Sequence, residues 1–152
     1  MLADKTMNNY IPTERECEKS SFAYLMSLFI FFFGVPLPII NLLVVVFFYL
    51  MNKNETYFIR WHCMQCMLSQ VPVFFINTIL FWWTVSILFF DAAFSYGYFI
   101  YLMLAALFNI IEMIIVIYAA IDVRKGNDIR WYAISAITDR LVKKVKPVYE
   151  AV

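Results

Sequence analysis

Residues 20–121 carry only five charges, Lys53, Glu55, Arg60, Asp91 and Glu112. No soluble fold can hide so long an apolar stretch, because globular chains are about half apolar and must show water a polar face. Hydrophobic residues make up 64% of the chain, aromatic ones 20%, and the mean hydropathy is +0.75. In 152 residues this fits one α-helical integral membrane domain and no second folded unit.

The formal net charge of +1 names no partner, but its distribution is informative. The first nineteen residues hold three basic and four acidic groups, and those after Ala120 hold seven basic and four acidic. No cleavable signal peptide is expected, since Asp4, Glu14, Glu16 and Glu18 precede the first apolar run in place of a short basic region. Cys17, Cys63 and Cys66 are too few and too scattered for a disulfide framework, and on the cytoplasmic side they stay reduced. The expected organisation is a flexible N-terminus over 1–12, a transmembrane bundle over 13–121, and a cytoplasmic basic amphipathic helix and tail over 122–152.

Thr13-Glu14-Arg15-Glu16 reads as a capping box that starts the first helix. The first apolar run, 22–51, is about 45 Å as one helix against roughly 30 Å of hydrocarbon. Gly34-Val35-Pro36-Leu37-Pro38 interrupts it, and the prolines remove two donors. Two short helices, 22–34 and 38–51, in a tight hairpin are expected, with a single kinked span as the alternative. A polar connection at 52–60 follows. One full span covers 61–90, with Pro72 inside it, then a turn at 91–97, a last span at 98–121, and Arg124-Lys125-Gly126 as a stop. The basic residues of 52–60 and of the tail face the cytoplasm and the 91–97 turn lies outside, which makes an inner-membrane, multi-pass protein with both termini cytoplasmic.

The tail from Asp128 is amphipathic. Trp131, Ile134, Ile137, Leu141 and Val145 line one face, Arg130 and Lys144 flank it, and Tyr132, Asp139, Lys143 and Lys146 lie opposite. Such a basic helix lies on a membrane surface bearing anionic lipid headgroups. Docking on a soluble partner or on the protein's own loop is the competing reading.

Phe58-Ile59-Arg60-Trp61-His62-Cys63-Met64-Gln65-Cys66 is the most distinctive stretch. It puts Arg60, Trp61, His62 and Gln65 at the cytoplasmic interface, where each can meet headgroups or water. His62, Cys63 and Cys66 suggest a cytoplasm-facing metal or thiol site, yet Cys17 is the only other thiol and there is no second His. Small polarizable packing residues account for the cysteines but not for Arg60, His62 and Gln65 together.

Phe58-Ile59-Arg60-Trp61-His62-x-x-Gln65 resembles an element of bacterial relatives of the twenty-kilodalton subunit of the chloroplast inner-envelope translocon. Ala119-Ala120, Arg124-Lys125-Gly126, Ile137 and Asp139 resemble that family's closing residues, so the likeness runs over about 20–141. Cys66 departs from the small Ala or Ser usual there. The resemblance implies a link to protein translocation or insertion.

Buried polar residues form a third group. Glu112, Gln70, Asn77 and Asn109 fall inside the two spans, and Asn41 on the second short helix can join them. An intramembrane carboxylate is costly, so Glu112 is either hydrogen-bonded glue between helices or a proton or ion path. There is no Gly-rich phosphate loop, Ser/His/Asp set, paired intramembrane aspartates or HExxH. The expected function is therefore a non-enzymatic subunit of a larger membrane assembly, with neither cofactor nor metal and no nucleic-acid partner. Its expected partners are the lipid bilayer and other membrane subunits. A small proton or ion transporter using Glu112, and a metal or thiol protein using His62, Cys63 and Cys66, are the alternatives.

Overall fold

The computed structural model describes residues 11–34, 38–90 and 93–142. Among them the chain is all-helical, without strands: α1 (Glu14–Gly34), α2 (Pro38–Met51), α3 (Tyr57–Phe89), α4 (Tyr96–Arg124) and α5 (Tyr132–Leu141). α3 and α4 are long and apolar enough to cross a membrane.

Local chemistry sets the helix ends. The Thr13 backbone N–H donates to Glu16 Oε2 at 2.7 Å and the Glu16 N–H donates to Thr13 Oγ1 at 3.4 Å, which closes the capping box that starts α1. Ser95 Oγ accepts from the Tyr98 N–H at 3.2 Å and caps α4. At the other end of α4, Gly126 has φ +85, a left-handed conformation that a side chain resists. The Gly126 N–H donates to the Val123 carbonyl at 3.0 Å and that of Asn127 to Asp122 at 3.2 Å. These paired bonds end the helix and turn the chain back.

The charged ends of the helices gather at one end of the bundle. Lys19 and Arg15 of α1 pair with Glu55, and Arg124 of α4 pairs with Glu18. α1 sits between α3 and α4 through small residues. Ser21 Oγ donates to the Ala120 carbonyl at 2.8 Å, while Tyr24 packs with Cys66, Val116, Ala119 and Ala120. Close approach over Ser and Ala is how helices bind one another in lipid. α2 covers the α1–α3 seam, with Val45 in the Tyr24 cluster and Phe48 and Tyr49 against Ala23, Ile59 and Cys63. Away from the charged end, α3 and α4 meet directly. There Tyr98 reaches Thr84 at 3.0 Å, and Tyr101 donates to the Ile76 carbonyl at 3.0 Å.

The outside of the bundle is apolar. Ile100, Leu104, Leu107, Ile111, Ile114 and Tyr118 of α4 are all exposed, as are Phe75, Ile79 and Trp82 of α3. A soluble monomer rarely shows a contiguous apolar patch beyond a few hundred Å². This surface faces hydrocarbon, and the protein is a membrane protein.

Candidate functional site

The first turns of α3 build a buried cluster at the charged end. Trp61, His62 and Gln65 are fully buried, and Arg60 at the rim is partly so. The α4 stop makes this possible, because reversal at Gly126 lays residues 127–131 back over α3 and leaves α5 to begin at Tyr132. Gln65 Nε2 then donates to the Ile129 carbonyl at 3.2 Å. It also donates to Tyr24 Oη at 3.2 Å. Since Tyr24 accepts there, its one proton points to His62 Nδ1, 3.2 Å away. His62 is thereby the tautomer protonated at Nε2, and that nitrogen faces Asp128 Oδ1 at 3.6 Å.

Asp128, Arg130 and Asp139 close over the cluster. Trp61 Nε1 donates to Asp139 Oδ1 at 2.7 Å, and the Tyr57 hydroxyl reaches the same oxygen at 3.5 Å. The Arg130 guanidinium lies 5.1 Å from the Trp61 ring centre, bonds Asp128 at 2.9 Å and is 3.8 Å from Asp139. Cation–π contact and two carboxylates hold it in place. The arrangement clamps the 127–131 segment and α5 onto α3.

A polar ladder continues down the α3–α4 seam. Gln70 Nε2 donates to Glu112 Oε1 at 3.3 Å, and Asn77 and Asn109 exchange hydrogen bonds at 3.0 and 2.8 Å. Asn109 Nδ2 also donates to the Ala105 carbonyl at 2.7 Å. A cavity of about 10 Å³, space for one water, lies among Ser27, Gln70, Asn109 and Glu112. Asn41 lies on α2, and its side chain is outside the described residues.

Other candidates are dispersed. Arg130 and Trp131 face protein, Trp131 packing 6.0 Å from the Tyr24 ring, while Ile137 and Leu141 of α5 are exposed. Lys143, Lys144, Val145 and Lys146 lie outside the described residues. Cys63 and Cys66 are buried, and Cys66 Sγ donates to the Ala23 carbonyl at 3.3 Å. Burial and the Glu16 carboxylate push the Cys17 thiol up. Among the described residues no three His, Cys, Asp or Glu side chains gather as a metal site.

Sequence reasoning missed Tyr24, the hub of the cluster, and the serines that let α1 approach α4. Tyr24 is the only tyrosine in a Phe-rich helix, and Ser20, Tyr24 and Ser27 share one face, which is a legible signal.

The model of the magnetosome magnetite crystal formation protein family (MamF/MmsF) matches residues 18–138. No curated protein and no solved structure matches the chain. The family match overturns the expected kinship with the translocon subunit, and with it the protein translocation, transport and insertion reading. The reason is physical: Trp61, His62 and Gln65 are turned inward to clamp the chain on itself, so their spacing specifies a packing device and names no cargo. The Glu112 transporter and the His62, Cys63, Cys66 metal or thiol alternatives fall with it. Glu112 is paired with Gln70, and the two neighbouring thiols are packed in the core.

Proposed function

The chain belongs to the magnetosome magnetite crystal formation protein family, and from this we propose that it is a non-enzymatic membrane component supporting magnetite crystal formation. The observation that carries the proposal is the family match over 18–138, which takes in both the α3 cluster and the polar ladder. The hydrogen bonds of His62 Nδ1 with Tyr24 and of Glu112 with Gln70 support a packing role for these two side chains.

The finer arrangement is part of the proposal. α1 and α2 form a Pro-broken hairpin that enters from the charged end, and α3 and α4 cross fully. The basic residues Lys53, Arg60, Arg124 and Lys125 support placing that end in the cytoplasm, with both termini. In this proposal 13–121 is the bundle and 122–152 a basic cytoplasmic segment, with 1–12 leading into the bundle. In that segment α5 and the lysines after it meet anionic headgroups. The inner-membrane bilayer and other membrane subunits are the proposed partners.

The test is genetic and microscopic. Removing the chain from a magnetite-forming cell that encodes it should change crystal size or shape in electron micrographs, and re-expression should restore it. Crystals unchanged by its removal would sink the proposal.

A further inference from the structure

We propose that the bundle is a wedge that favours membrane whose cytoplasmic leaflet is convex. The inference rests on the reading above that α1 and α2 enter from the cytoplasmic, charged end. The observation behind it is a mismatch of helix lengths. α1 has 21 residues, α2 14, α3 33 and α4 29, which is about 31, 21, 50 and 44 Å.

All four helices share the charged end, so the difference falls entirely at the other. Ion pairs fix the common level: Lys19 with Glu55, and Glu18 with Arg124. Contacts deeper in the bundle keep the register. Tyr24 is level with His62 and Gln65 on α3, Val45 of α2 packs in the same cluster, and Ser21 is level with Ala120 on α4. α1 ends at Gly34 and α2 begins at Pro38, so both stop about 15 Å or less beyond Tyr24. α3 and α4 run on for about 20 Å more, as a pair.

Four helices therefore fill the bilayer from its cytoplasmic face inward, and only two reach its far side. At a helix diameter of about 10 Å, the excess is roughly 150 Å² in one leaflet. In the narrow half the flanks of the α3–α4 pair, including Ile79, Trp82, Phe99 and Met103, are exposed to whatever fills the space. Lipid must fill it, and in a flat bilayer this strains the packing of the two leaflets unequally. The strain is relieved where the cytoplasmic leaflet is the expanded, outer face of a curved membrane.

The full chain is to be incorporated into preformed vesicles of one lipid mixture, phosphatidylcholine with some phosphatidylglycerol, in small sonicated and large extruded forms. Tryptic accessibility of the basic tail reports whether the charged end faces out. Protein per lipid, read by fluorescence on single vesicles with the charged end outside, should be several-fold higher on the small ones. Equal density on both would overturn the wedge while leaving the membrane reading intact. Failure to float with either would sink the membrane reading and the wedge together. A second variant lengthens α1 before Gly34 and α2 after Pro38 by thirteen apolar residues apiece, about 20 Å of helix. It should float equally well and lose the size preference. If it floats and keeps the full preference, curvature sorting comes from elsewhere, such as α5, and the wedge is wrong.

Discussion

Tyr24 ties α1 to the α3 motif. Its hydroxyl accepts from Gln65 and donates to His62, both fully buried, so removing it leaves two polar groups without that partner. Tyr24→Phe keeps the ring packed against Val116 and Ala120, so the loss is the hydroxyl alone. Thermal unfolding in mild detergent should show a cost of about 1–3 kcal/mol, the usual penalty for stranding buried polar groups. Unchanged stability would mean that water replaces the hydroxyl. Glu112 is the contrasting case. As a hydrogen-bond partner of Gln70 it needs only its oxygen, so Glu112→Gln should leave abundance and crystal formation unchanged. Glu112→Leu should cost ~1 kcal/mol per lost contact, the range found between membrane helices. A stable Glu112→Gln chain that fails to support crystals would show that the ionisable proton matters.

At the scale of elements, two devices dock the helices at the charged end. The first is the stop of α4. Gly126 at φ +85 aims residues 127–131 at α3, and Gly126→Ala should cost about 1–2 kcal/mol from the left-handed conformation. Space is not the obstacle, since an added Cβ would meet Cys17 and Pro12 only at 3.8 Å. Faster proteolysis in the 127–131 segment would report the loosened clamp. The second device is Glu55, which ties the α2–α3 connection to α1. The hydrogen bond from Lys19, with the charges of Lys19 and Arg15, holds its carboxyl below the usual carboxylate range despite some burial. A carboxyl depressed in the folded state stabilises it fully above its ordinary value, near 4.5, and progressively less as pH falls through the lower folded value. Wild-type stability should therefore fall over that acid window, and Glu55→Gln should flatten the fall there. An identical acid profile in the variant would show that the pair contributes nothing.

The whole molecule is asymmetric, charged and broad at one end, apolar and narrow toward the other. Orientation decides which compartment each end meets. In a bacterial host, an impermeant thiol reagent applied outside should mark a cysteine placed at Ser95 and miss ones at Asn54 and Asn127, in a background lacking Cys17, Cys63 and Cys66. Labelling at Asn54 from outside would invert the molecule and reverse the sign of its curvature preference.

Partition into a membrane was legible in the sequence because transfer free energy sums over residues, wherever each one ends up packing. The helices and their stops were legible for a similar reason: Thr13 with Glu16, Ser95 and Gly126 act within one turn of chain. Glu112, Gln70, Asn77 and Asn109 also stand out in sequence, since any polar group in hydrocarbon does. What joins to what was decided only by tertiary structure. Tyr24 meets His62 across 38 residues and Trp61 meets Asp139 across 78, and such contacts depend on how helices rotate and slide against one another. The same holds for the α3 motif. Its spacing resembles one used elsewhere, but only the reversal at Gly126 and the approach of α1 show that Trp61, His62 and Gln65 face inward, where they bind this chain to itself.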